Sequence, residues 1–213
     1  MKGMLITFEG GEGAGKTTHT ELFKNYLTQK GFSFFATREP GGTDFSEAVR
    51  ALTKDMRYQD KSPISELMLF EAARADIVQK RILPALEEGK IVVMDRFYDS
   101  TTVYQSFGRG IDRKMVDAMN RVASQGLVPD LTLFLRVGPK HAFARKGGAD
   151  KNDAMEQSGD AFHQRIIEGF DALAKENKHR FVVVDTTQPI ATVFAQITEA
   201  FEKKYTKLNK REK

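Results

Sequence analysis

Leu5-Ile6-Thr7-Phe8-Glu9 runs straight into Gly10-Gly11-Glu12-Gly13-Ala14-Gly15-Lys16-Thr17-Thr18, an apolar strand pattern ending on a glycine-rich turn. Gly10 to Thr17 fits G-x-x-x-x-G-K-[ST]. Glycines let the backbone fold tightly enough for several amide N–H groups to point inward at phosphate oxygens. The helical pattern that follows would add its positive N-terminal end to the same anion. Lys16 is placed to reach β- and γ-phosphates, and the Thr17 hydroxyl to ligate magnesium. The strand before the loop and the helix after it are the context this motif demands, so the chain is expected to bind a nucleoside triphosphate with magnesium.

Outward from the loop, short β-rich runs alternate with helical stretches. That alternation predicts an α/β fold of three layers, a parallel sheet with helices on both faces. Five strands are expected at Leu5–Glu9, Phe32–Thr37, Ile91–Asp95, Leu131–Val137 and Phe181–Asp185. The third and fifth are continuous apolar runs, as strands buried on both faces should be. Helices are expected over Lys16–Lys30, Asp44–Lys54, Ile64–Glu88, Arg113–Gln125, Gly159–Asn177 and Pro189–Lys204, with Gly31 and Gly89 at C-terminal cap positions. Ligands in such sheets bind beyond the carboxyl ends of the strands.

The 213 residues suit a single domain, 1–213, and 40% hydrophobic with 29% charged residues is ordinary for a chain with a real core. No run approaches the roughly 18 apolar residues of a membrane span. Met1-Lys2 leads directly into the first strand, so no signal peptide is expected, and the absence of cysteine excludes disulfides and thiolate chemistry. A cytoplasmic location fits. The net charge of +4 sits partly in the tail, 203–213, through Lys203, Lys204, Lys207, Lys210, Arg211 and Lys213. It reads as a solvated, partly frayed helix end with no sign of nucleic-acid binding. His19, His141, His163 and His179 lack metal-ligand spacing.

A triphosphate site alone does not separate a kinase from a GTPase or a regulatory switch. GTPases read guanine with Asn-Lys-x-Asp after a strand; Asp150-Lys151-Asn152-Asp153 has the wrong order and the wrong place. The other strand ends are more telling. Thr37-Arg38-Glu39-Pro40-Gly41-Gly42-Thr43 follows the second strand. Phe70 and Arg74, four apart, share a helix face. The third strand ends in Asp95-Arg96, followed by Ser100-Thr101-Thr102-Val103-Tyr104-Gln105 and Gly108-Arg109-Gly110. Arginines dominate and no His or Ser nucleophile stands out. A phosphate acceptor explains this, being already anionic, because catalysis then reduces to positioning and charge neutralisation. Arg38 and Arg96 are the candidate clamp for that phosphate, since guanidinium forks match its oxygens. Asp95 is the candidate magnesium carboxylate.

Together these segments resemble the bacterial-type thymidylate kinases, from E-G-x-E-G-A-G-K-T-T at Glu9–Thr18 through T-R-E-P-G-G-T, F-x-x-x-R, D-R…S-T-x-x-Y-Q and G-R-G-I-D to D-T-T-Q-P at Asp185–Pro189. The resemblance covers nearly the whole chain. It implies a P-loop nucleoside monophosphate kinase fold, a homodimer, and transfer of the γ-phosphoryl group of ATP to dTMP. On residues alone Phe70 reads as core; the resemblance makes it the platform for thymine, with Arg74 at O4 and Thr101 and Gln105 at the ring N–H and a carbonyl. It sets Tyr104 beside the sugar and Glu12 toward the acceptor nucleoside or magnesium, and adds Glu39, Pro40 and Ser100 to the acceptor site. It also implies a mobile lid over 145–156 in which Arg145 contacts ATP. Three positions depart from the family pattern: Ala154 where the lid carries an arginine, Arg136 where an acid is usual, and Ser106-Phe107 after Gln105. The alternatives are another small-acceptor P-loop kinase, for which Glu39 is the nearest candidate base, and a nucleotide-binding regulator with weakened catalysis.

Overall fold

A computed structural model describes residues 3–138, 141–142, 145 and 160–210. Its centre is a five-stranded parallel sheet: β1 (Met4–Glu9), β2 (Phe34–Arg38), β3 (Ile91–Asp95), β4 (Leu131–Arg136) and β5 (Phe181–Asp185), in the order β2-β3-β1-β4-β5. The order reverses beside β1, so the loop leaving β1 opens at the crevice where such sheets bind ligands.

Alternate residues of each strand feed opposite faces. Met4, Ile6 and Phe8 join Leu131, Leu133 and Leu135 in a core with Phe23 and Leu27 of α1 (Lys16–Gln29) and Val193, Ile197 and Phe201 of the C-terminal helix. Leu5, Val92 and Met94 turn the other way. They meet Ile77, Val78 and Ile82 of the long helical segment formed by α3 (Pro63–Ile77), a π turn (Val78–Ile82) and α4 (Leu83–Glu87). Phe134 on that same side packs against Phe170, their rings 5.1 Å apart. Three layers result, as expected. Further helices are α2 (Asp44–Lys54), α5 (Tyr98–Thr101) continued by a π turn (Thr102–Gly108), α6 (Arg113–Ala123), α7 (Asp160–Glu176) and α8 (Ile190–Asn209).

Four features differ from the sequence reading. β2 starts two residues later than expected, at Phe34. The apolar run of β5 is at a sheet edge rather than enclosed, and Val183 is 47% exposed. The helix over 98–108 was not foreseen; its Ser-Thr-Thr-Val run is poor in helix formers, and burial of Val103 and Tyr104 against α7 overrides that preference. The tail is less frayed than expected: α8 continues to Asn209, with Tyr205 against Phe32 and Leu208 against the core. The expected lid, Arg145 apart, lies outside the described residues.

Candidate active site

The phosphate loop is shaped by two glycines. Gly10 has φ 144°, and a Cβ there would stand 2.5 Å from the Leu135 carbonyl oxygen, so a side chain would wedge β1 from β4. Gly15, at φ 83°, caps α1. Lys16, in the first turn of α1, folds back over the loop and donates to the carbonyls of Gly10 at 3.1 Å and Gly11 at 2.9 Å. Burial, then the Arg96 charge, lowers its pKa to about 8, against the pull of Glu12 and Asp95.

Across the loop, β3 ends and the chain turns at Arg96, which adopts φ 70°. That left-handed conformation costs a branchless but non-glycine residue on the order of 1 kcal/mol. Several bonds hold it there. The Arg96 N–H donates to the Phe8 carbonyl at 3.0 Å, and Nη1 donates to the Gly10 carbonyl and the Ser100 hydroxyl, both at 3.0 Å. Nη2 pairs with Glu12, and the guanidinium lies 5.1 Å over the Tyr104 ring. Below, fully buried Glu9 accepts from the Phe97 N–H at 2.8 Å and the Ser100 hydroxyl at 2.6 Å. Burial and the neighbouring Asp99 push Glu9 up to about 8, opposed by the Ser100 bond and Arg96. Glu9 was read only as part of the loop motif; its signal was an acid ending an otherwise apolar strand.

A cavity of about 380 Å³ opens between these two ends. It is lined by the loop residues Glu12 to Thr18, and by Arg38, Glu39, Pro40, Asp95 and Arg96 at strand ends. The expected base-side residues Phe70, Arg74, Ser100, Thr101, Tyr104 and Gln105 line it too. Phe70 is half-buried, facing the cavity rather than lost in the core. Arg38 pairs with Glu47 at 2.9 Å and stays exposed enough to swing. Gly10 and Gly11 contribute carbonyls to Lys16 rather than cavity wall.

Arg74 differs from expectation in its commitments. It is 2% exposed, and its guanidinium donates to Glu39 at 2.9 Å, Glu71 at 2.9 Å, Asn120 at 3.0 Å and Thr101 at 2.8 Å, with a second contact to Glu39 at 2.8 Å. Its N–H groups are engaged by protein acceptors, so it acts on the cavity first as a cation and as the anchor of Thr101. Burial alone would lower its pKa, but Glu39 and Glu71 hold it above the usual arginine value. Burial raises Glu39 to about 7 despite Arg74.

Arg145 does not line the cavity; it donates to the Thr186 carbonyl just beyond β5, and its charge reaches His19 on α1. Arg136, the residue that departs from the family pattern, pairs with Asp171 through bonds of 2.8 and 2.9 Å. Sequence reasoning missed Arg50, Thr53 and Lys54, which line the cavity from one face of α2. Their i, i+3, i+4 spacing was the available signal.

For a metal, no group of three or more His, Asp or Glu converges among the described residues. The Asp95 Oδ1 is buried without a hydrogen-bond partner, and Thr17 lines the same cavity. One carboxylate and one hydroxyl suit magnesium, which keeps waters and takes other oxygens from substrate phosphates.

Comparison with known proteins sets this geometry in context. A family model described as thymidylate kinase matches residues 8–197. The chain is 39% identical over 203 residues to a thymidylate kinase of Thermoanaerobacter sp. strain X514, covering 95% of this chain and 99% of that protein. It is 41% identical over 213 residues to one from Chlorobaculum tepidum, covering 96% and 99%. The crystal structure of thymidylate kinase from Ehrlichia chaffeensis superposes with a TM-score of 0.78 at 34% identity, over 95% of this chain and all of that one.

Proposed function

The chain belongs to the thymidylate kinase family and transfers the γ-phosphoryl group of ATP to dTMP, and from that premise we propose which of its residues do so. The triphosphate lies in the loop from Gly10 to Thr18, with Lys16 on its β- and γ-oxygens. The dTMP phosphate lies between Arg38 and Arg96, thymine rests on Phe70, and Tyr104 flanks the sugar. An oxygen of the dTMP phosphate attacks the γ-phosphorus while the bond to the β–γ bridging oxygen breaks, leaving ADP and dTDP with no proton to remove first. One observation carries the reading: Lys16 and Arg96, from opposite walls, both donate to the Gly10 carbonyl oxygen. The cation for the donor phosphate and the cation for the acceptor phosphate are therefore tied side by side at the wall of the cavity both line, where charge develops in transfer.

Thr17 and Asp95 would hold magnesium, which supplies charge neutralisation on the β- and γ-oxygens when bound. We also propose a homodimer. α3 packs between α2 and α6, and each of the three carries exposed apolar residues at helical spacing: Phe45 and Leu52, Ile64 and Met68, Met115 and Val122. Met68 is 57% and Val122 78% exposed, an apolar band suited to a second copy. No helix among the described residues is long and apolar enough to cross a membrane, and we place the enzyme's work in the cytoplasm. A coupled ADP-release assay tests the activity: dTMP should accelerate ATP consumption far more than dUMP, dCMP or AMP. A preference for AMP or dCMP would remove the assignment.

A further inference from the structure

We infer that Glu66, outside the substrate site, sets the hydrogen-bonding polarity of the base-reading residue Gln105 and so makes the enzyme reject cytosine. A glutamine amide can present either an acceptor or a donor to a ligand, and only its surroundings choose. Here the surroundings are specific. Gln105 is 1% exposed, and its Nε2 donates to Glu66 Oε2 at 3.1 Å. Glu66, 4% exposed, is itself held by Arg109, whose Nε stands 3.2 Å from the same oxygen. A carboxylate only accepts, so Gln105 must turn its NH2 toward Glu66. Its Oε1, which accepts no bond from a described residue, is left for the cavity that Gln105 lines.

Thr101, one helical turn earlier, is fixed in the complementary sense. Its Oγ1 accepts from Arg74 at 2.8 Å, and Arg74 can only donate, so the hydroxyl proton points elsewhere. The pair thus offers one acceptor and one donor. Thymine presents N3–H beside a carbonyl and matches both. Cytosine presents a bare N3 beside an amino group and opposes both, leaving buried polar groups unpaired. This rests on the reading that Gln105 faces the base, and the test separates the two.

Glu66→Gln keeps the shape but can offer an NH2 to Gln105. With Arg109 Nη2 on the amide oxygen at the Oε1 position, the new NH2 stands at the Oε2 position that Gln105 faces, so Gln105 would turn over and present its own NH2 to the base. The ratio of kcat/KM for dTMP to that for dCMP should fall about tenfold or more, through a loss with dTMP and a gain with dCMP, while KM for ATP is unchanged. A structural lesion would lower both substrates together. Gln105→Met should also collapse the ratio, but with no gain for dCMP. If Gln105→Met leaves the ratio intact, the residue does not read the base. If Gln105→Met collapses it and folded Glu66→Gln does not, the polarity inference is wrong. Should Glu66→Gln fail to fold, wild-type protein with 15N-labelled dTMP decides: the thymine N3–H should appear as a solvent-protected imino resonance that Gln105→Met abolishes. A rapidly exchanging imino proton in the wild type overturns the inference.

Discussion

Lys16 has the depressed pKa that follows from burying an ammonium beside a guanidinium. A bound triphosphate reverses that environment and keeps the proton on, so above pH 8 binding must take a proton up. Affinity for a non-hydrolysable ATP analogue should be flat below pH 8. Above it, affinity should weaken by up to about tenfold per pH unit, as read by calorimetry at pH 7, 8 and 9; a flat profile to pH 9 would contradict the assignment. Arg96→Ala should cut turnover by well over tenfold, since charge-assisted contacts are worth about 1.5–3 kcal/mol each. Near-normal steady-state kinetics would mean that the acceptor clamp is elsewhere. Glu9 acts on stability instead. Its folded pKa is raised from 4.5 to about 8, so the folded chain keeps a proton that the unfolded chain has released. That stabilisation is complete below pH 4.5 and lost as pH climbs to about 8. Glu39, raised to about 7, works in the same direction, whereas Lys16 acts oppositely and only above pH 8. The melting temperature should fall from pH 5 to 8 in the wild type and fall less in Glu9→Gln; parallel curves would show that Glu9 does not titrate in this window.

At the scale of elements, the buried ion pair of Asp99 and Arg180 joins the start of α5 to the residue preceding β5. Arg180 donates to Asp99 at 2.6 and 2.8 Å and to Thr132 at 2.8 Å, and lies 4.7 Å over the Phe181 ring. Arg180→Met leaves Asp99 charged and unpaired in the core, which costs about 3–5 kcal/mol. For a chain of this size that lowers the melting temperature by roughly 6–20 °C; calorimetry showing less than 2 °C would mean that the pair is dispensable. The sequence made β1, β3 and the loop legible because their signals are local: an apolar run, glycines, a lysine at the right step. Edge and centre are not local, so the same Val-rich pattern stood for enclosed β3 and exposed β5. The helix over 98–108 escaped for the complementary reason, since its helicity comes from α7 rather than from its own residues. Among the cavity residues, Arg96 was legible from its place at a strand end, whereas Phe70 read as core on its own residues and was set at the cavity only by the resemblance. The engagement of Arg74 by Glu39, Asn120 and Thr101 was not legible, because those three partners come from separate segments outside its own helix, which supplies only Glu71.

At the scale of the molecule, the three apolar helix faces of α2, α3 and α6 should meet their counterparts in a second copy. Met68→Glu combined with Val122→Glu should convert a dimer to a monomer by light scattering, and an unchanged mass would move the interface elsewhere. The larger claim is that the sheet brings two phosphate groups together in the cavity lined by Lys16 and Arg96, one from the glycine loop and one from the arginines opposite. The most direct measurement is a crystal structure with dTMP and a non-hydrolysable ATP analogue bound together. The account predicts thymine stacked on Phe70, the acceptor phosphate within hydrogen-bonding distance of Arg96, and the γ-phosphate beside Lys16. Thymine stacked elsewhere, or a triphosphate lying outside the glycine loop, would contradict it.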